Sequence, residues 1–321
     1  MEIEAEVRYD PLTGDSARIC HFALPPREVP DLAPLVASSK GHCPFCPDAV
    51  ARVTPRYPDS LVPGGRMARG EALLVPNLFP YDDVSAILVM CQAHFLPMDG
   101  VPPETFADAL KLAREFIMLA EPSLGERTAY GIVTWNYMPP SGASQVHPHL
   151  QVIVTDTPGN ALRRELEAEA SFTLHYGAPF AQALVQAERG AERWLGEEGG
   201  VAWWVPYCPV GMLGDAQAVF LERASLTECS DGEIDAFARF LTRLLAAYAR
   251  LGFWSFNLSL LPDARAAGTN RHRLTARLLP RFYLNPKLHN SDVAYLQLLL
   301  GEKFAMQYPE AHAAALRGAL W

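Results

Sequence analysis

The sequence of 321 residues predicts an α+β fold built from two fused copies of one unit, each an antiparallel sheet with a helix packed on it. Two observations carry that prediction. The same order of strands and helix is spelled out twice along the chain, and each copy holds one amphipathic helical pattern between short apolar strands. The bulk composition, 50% hydrophobic and 20% charged, is that of a globular protein able to bury such a core.

The first 70 residues are rich in proline and glycine, with short strand-like pieces and few helical patterns. The first copy follows. It runs LLVPNLFP (73–80), AILVMCQAH (86–94), a helix over 103–119, GIVTWNYMPP (131–140) and HPHLQVIV (147–154). The helix is called from Phe106, Leu110, Leu112, Phe116 and Ile117, which recur at helical spacing. Residues 160–199, dominated by Ala, Glu, Arg and Leu, favour helix and read as a connector packed on the sheets.

The second copy runs WWVPYCPV (203–210), AVFLER (218–223), a helix over 231–251, WSFNLSLLP (254–262) and HRLTARLL (272–279). Ile234, Phe237, Phe240, Leu241 and Leu244 repeat the helical pattern. Val75 corresponds to Val205, and Asn136 to Asn257, with drift expected of loop changes between diverged halves. The tail reads as mixed helices and loops ending in PEAHAAALRGAL. The division is therefore 1–160 for the unit with the site, 161–200 for the connector and 201–321 for the second unit.

A formal charge of −9 excludes broad affinity for nucleic-acid backbones, which rests on many cationic contacts. No apolar run approaches the ~20 residues that span a bilayer. The N-terminal MEIEAEVRYDP is acidic and polar, unlike a secretory signal, so a cytoplasmic location is expected. Of the cysteines, Cys20, Cys91, Cys208 and Cys229 are scattered singles expected to be buried thiols.

Cys43 and Cys46 have the spacing of a metal knuckle, which needs two further ligands. His94 and His147 are the candidates, giving a closed and hence structural Cys2His2 site. His147, His149 and Gln151 alternate along an extended segment and are expected on one face. His149 offers an imidazole that can attack phosphorus, and Gln151 an amide for a phosphoryl oxygen. The loop 141–144, SGAS, adds hydroxyl and backbone N–H donors. From the residues alone, His147 and His149 could instead both ligate a metal.

The segment resembles the active-site region of the galactose-1-phosphate uridylyltransferase family, a branch of the histidine-triad superfamily. There an asparagine is followed by a Gly-x-Ser loop and His-Pro-His-x-Gln; here Asn136, Gly142, Ser144, His147, His149 and Gln151 match. YDPLTG (9–14), CPFC (43–46), VPNLFP (75–80) and the strand ending in His94 are similar too, so the likeness covers nearly the whole chain. The resemblance implies two histidine-triad-like units, with His149 as nucleophile on the α-phosphorus of a nucleoside diphosphate sugar. A sugar 1-phosphate would leave, and an acceptor phosphate would then take the nucleotidyl group. Gln151 would steady the non-bridging oxygens, and Asn77, Asn136 and Ser144 would contact nucleotide. Cys43, Cys46, His94 and His147 would hold structural zinc, and a homodimer would complete the pocket.

The sequence also departs from that family. ICHFALPP stands where an arginine-containing run usually meets phosphates, with Arg18 nearby. The second-half strand keeps His272 among Arg271, Arg273, Arg277 and Arg281, where some members have a histidine-rich strand binding another metal. Leu274 roughly replaces a second nucleophile. The arginines invite phosphate binding, or else face solvent on an edge strand. His21, His42, His175, His289 and His312 read as ordinary polar positions. A nucleoside diphosphate sugar phosphorylase or hydrolase, using phosphate or water as acceptor, is the alternative within the same chemistry. A zinc-stabilised nucleotide-binding protein and a zinc hydrolase are the readings from other classes.

Overall fold

A computed structural model describes residues 5–20, 27, 29–264, 271–285 and 287–320. His21 lies outside the described residues. The N-terminal region holds β1 (Ala5–Tyr9), β2 (Ser16–Cys20), α1 (Ala33–Lys40) and α2 (Pro47–Val53). The first copy follows as β3 (Met67–Arg69), β4 (Ala72–Pro76), β5 (Val84–Val89), α3 (Pro103–Ala120), β6 (Tyr130–Tyr137) and β7 (His149–Thr155). Then come α4 (Asn160–Tyr176) and α5 (Phe180–Glu188), and the second copy as β8 (Trp194–Glu198), β9 (Val201–Trp204), β10 (Ala216–Phe220), α6 (Asp231–Arg250), β11 (Phe256–Leu261) and β12 (Thr275–Pro280). The tail adds β13 (Tyr283–Asn285), β14 (Asn290–Ser291), α7 (Tyr295–Leu299), β15 (Lys303–Ala305) and α8 (Pro309–Leu320).

Ten strands join in one antiparallel sheet, in the order β3-β4-β5-β7-β6-β11-β12-β10-β9-β8. Read inward from its two edges, the sheet gives β3-β4-β5-β7-β6 and β8-β9-β10-β12-β11, the same succession of corresponding strands. The duplication is thus expressed as a pseudo-twofold, and the halves meet where β6 pairs with β11. Asn136 and Asn257 face each other there as register partners. The segment expected to be a helical connector also supplies the edge strand β8. The expectation of an edge strand for the arginine run is corrected: β12 lies inside the sheet, between β11 and β10.

Strand alternation assigns the two faces. Along β6, Val133, Trp135 and Tyr137 are buried while Thr134 and Asn136 are half-exposed. On the buried face lie α3 and α6, whose apolar stripes share one core with it. Pro103 starts α3, where a missing N–H costs nothing, and Ser230 with Glu233 forms a capping box at the start of α6. Phe106 stacks on Trp135, and Trp203 stacks on both Phe237 and Phe240. No helix among the described residues is long and apolar enough to cross a membrane.

The small sheet β1-β2-β15 and α8 are tied to the body by charge. Arg8 makes a forked pair with Glu310 at 2.9 and 3.0 Å, and Arg193 reaches the same carboxylate at 2.8 Å. Burial opposes ionisation of Glu310, but the two guanidinium groups outweigh it and hold its pKa at about 2. A depressed carboxylate contributes stability that is full above its unfolded value, near 4.5, and is lost as pH falls toward 2. Glu310→Gln should therefore lower denaturation midpoints at pH 7, with the gap from the parent narrowing between pH 5 and pH 2. A gap independent of pH would remove the ion pairs as its cause.

Candidate active site

Four side chains from three separated segments converge at the start of β7. Cys43, Cys46, His94 and His147 are all buried, and one potential ligand atom from each lies within 4.8 Å of the others. His94 Nδ1 is 3.4 Å from Cys46 Sγ, and His147 Nδ1 is 3.6 Å from Cys43 Sγ and 3.7 Å from Cys46 Sγ. Sulfur at about 2.3 Å and nitrogen at about 2.0–2.1 Å from a tetrahedral ion give edges of about 3.6 Å. These three sulfur–nitrogen separations match that edge.

The tautomers match as well. His147 Nε2–H donates to the Cys91 carbonyl at 2.8 Å, which leaves Nδ1 with the lone pair. His94 Nε2 meets Ser39 Oγ at 3.0 Å, while the Ser39 hydroxyl donates to the Val36 carbonyl, so His94 Nδ1 also faces the cluster as an acceptor. The Phe45 backbone N–H points at Cys43 Sγ, a donor suited to a thiolate. Burial holds His147 down to about 4, so its ring is neutral. Burial and the neighbouring Cys43 push the Cys46 thiol up to about 11, a shift that a bound cation would reverse. The donor set and its spacing fit a tetrahedral metal.

His147 itself departs from the expected strand. β7 begins at His149, so His147 sits in the bend before it and its side chain turns to the cluster. His149 and Gln151 remain on the sheet's open face and line a cleft with Phe45, Asn77, Tyr81, Ser144 and Gln145. His149 is 5% exposed, and its Nδ1–H donates to the His147 carbonyl at 2.8 Å. Nε2 is thereby the unprotonated nitrogen. Burial lowers the His149 pKa, which preserves that lone pair.

Each expected site residue has a definite place. Asn77, Ser144, His149 and Gln151 line the cleft together. Asn136 lies on the same sheet face, since Thr134 pairs with Gln151 and the register continued by two residues sets Asn136 opposite His149. Its side-chain oxygen accepts from Asn257. Gly142 does not line the cleft; it ends the turn after Pro139 with φ of 84°, a left-handed value suited to glycine. Phe45, whose ring centre is 5.1 Å from that of His149, was not anticipated. Nothing in the sequence distinguishes it from a knuckle spacer. Exposed Leu78, Phe79 and Tyr81 form an apolar rim that was also missed.

No protein-family model matches the sequence. An uncharacterized protein of Archaeoglobus fulgidus is 28% identical over 312 residues, covering 97% of this chain and 91% of that protein. Among solved structures, a uridylyltransferase superposes with a TM-score of 0.72 at 21% identity, covering 99% of this chain and 98% of that one. An ADP-glucose phosphorylase from Arabidopsis thaliana, solved with ADP-glucose bound, gives 0.74 at 14% identity over 98% and 99% of the two chains. The fold is that of the uridylyltransferases.

In this uridylyltransferase fold the corresponding face of the second half holds a cleft of its own, lined by Glu165, Glu169, Trp204, Gln217, His272 and Arg277. There α4 and α5 pack over part of the face, with Ala181, Val185, Trp204 and Val219 in a small core. Arg277 pairs with Glu165 at 2.9 Å, Arg273 approaches Glu222 at 3.9 Å, and His272 Nδ1 meets Glu169 at 2.7 Å. Burial opposes protonation of His272, but Glu169 outweighs it and raises the pKa. Among the described residues the Cys43 group is the one cluster with metal-ligand geometry. His312, expected as an ordinary polar position, is buried against Tyr248 Oη at 3.1 Å.

Elemental analysis of the purified protein should find about one divalent metal per chain. Cys46→Ala should lose it and drop the thermal midpoint by more than about 5 °C, because binding of the ion is folding energy. Stoichiometric metal retained by Cys46→Ala would refute the four-ligand assignment.

Proposed function

We propose that the protein is a nucleotidyltransferase that works through a covalent nucleotidyl-histidine. The observation that carries this reading is His149: neutral, buried, fixed at Nδ1 by a backbone carbonyl, and opening Nε2 to a cleft with amide and hydroxyl donors. In the first step Nε2 attacks the α-phosphorus of a nucleoside diphosphate sugar. An N–P bond forms, the P–O bond to the sugar 1-phosphate breaks, and that group leaves with the electron pair. In the second step a phosphate oxygen of the acceptor attacks the same phosphorus and Nε2 is released. Kinetics would be ping-pong.

Gln151 and Ser144 would donate to the non-bridging oxygens as their charge grows, and Asn77 and Asn136 would contact the nucleotide. Phe45 shields the imidazole from water on one side. Structural zinc, held by Cys43, Cys46, His94 and His147, would supply rigidity, fixing the bend whose carbonyl sets the tautomer of His149. A nucleotide sugar and a sugar phosphate are the expected partners, and a cytoplasmic homodimer belongs to the same reading. The likeness to an ADP-glucose phosphorylase keeps inorganic phosphate as the second acceptor to be tried.

Incubation with UDP- and ADP-sugars, followed by intact-mass measurement, should reveal one nucleotidyl group per chain. His149→Ala should remove the adduct and lower turnover at least about a thousandfold. Addition of a sugar 1-phosphate or of inorganic phosphate to the isolated adduct identifies the acceptor by its product. Turnover left intact in His149→Ala would end this proposal.

A further inference from the structure

We infer that Arg281 is a positioning residue, acting from the second half of the chain to set the amide orientation of Asn136 and the course of the 139–144 loop. The inference rests on the proposed nucleotide contact of Asn136. Arg281 grips Asp292 with Nε at 2.8 and 3.0 Å and with a second nitrogen at 2.6 Å, and Asp292 is only 3% exposed. Held in this way, the guanidinium turns its remaining arm to Asn257 Oδ1 at 2.6 Å.

A guanidinium can only donate, so the Asn257 oxygen must be the acceptor and its NH2 must face the other way. That NH2 donates to Asn136 Oδ1 at 2.6 Å and to the Ser141 carbonyl at 2.9 Å. Asn136 is left with its own NH2 as the free end of the chain, on the face it shares with His149 and Gln151. The Ser141 carbonyl belongs to the turn that leads to Ser144, which lines the cleft. One fixed charge thus orders two amides and one loop in sequence. With the Arg281 contact gone, either amide can rotate and present oxygen where a phosphorylated ligand needs a donor.

Hydrogen exchange on the ligand-free protein tests the loop. In Arg281→Met, the amides of Ser141 and Gly142 should exchange faster, while those of 43–46 and of β7 keep parent rates. Unchanged exchange at the loop overturns the inference. Adduct formation tests the amide: Arg281→Met should slow it about ten- to a hundredfold in the parent, yet less than about twofold when Asn136→Ala is already present. An equal loss in both backgrounds overturns it as well. Asn257→Asp keeps the acceptor for Arg281 but has no NH2 to pass on, so it should reproduce both effects; parent-like behaviour counts against the inference. If the parent itself forms no adduct with any nucleotide, the proposed catalysis fails, and the exchange rates still decide the role of Arg281.

Discussion

The site depends on one residue serving two masters. The His147 ring belongs to the buried Cys2His2 group, and the His147 carbonyl accepts the Nδ1–H of His149. Fixing the ring fixes the peptide, and fixing the peptide decides which nitrogen of His149 carries the proton. The alternation expected for three groups on one face gives way here to a division of labour. The proline between the histidines suits that bend, since it lacks an N–H and holds its own φ. Phe45 joins the same arrangement from the knuckle side, touching both rings. The Cys2His2 group can in this way govern the tautomer of His149 without touching it.

Much of the fold was readable from periodicity. The helix expected over 103–119 is observed as Pro103–Ala120, and that over 231–251 as Asp231–Arg250, because each carries a long apolar stripe with a clear start. The Cys43, Cys46, His94 and His147 group was readable from a spaced pair plus two histidines at strand ends. Other features depend on tertiary partners that no local pattern encodes. β12 contains Arg277 yet is interior, because that guanidinium finds Glu165 on α4 rather than water. The roles of Asn257 and Arg281 arise from contacts across 116 residues and 24 residues, which spacing cannot reveal.

The two copies have diverged by covering rather than by unfolding. Both open faces begin as the same three-strand surface: β4, β5 and β7 in one half, β9, β10 and β12 in the other. In the first, the face is lined by His149 and Gln151 and left as a cleft. In the second, α4 and α5 lie across it, and the charged groups beneath are matched as Arg277 with Glu165 and His272 with Glu169. Buried charges left without partners cost far more than matched ones, so covering this face required those pairings.

The second half also closes the sheet beside His149. Alone, the first unit would end at β6, leaving a row of unpaired backbone groups directly beside the strand that carries His149. β11 closes that edge over Val133 to Tyr137, and Ser255 adds a bond from its hydroxyl to the Tyr137 carbonyl. The loop that continues from Tyr137 toward Ser144 therefore leaves from a strand end held by β11. Histidines could be lost from the second copy without harm to this pairing, because hydrogen bonds of the backbone do not depend on side-chain identity. What must persist is β11 in register, with Asn257 opposite Asn136 at the centre of the pseudo-twofold, where one copy completes the other.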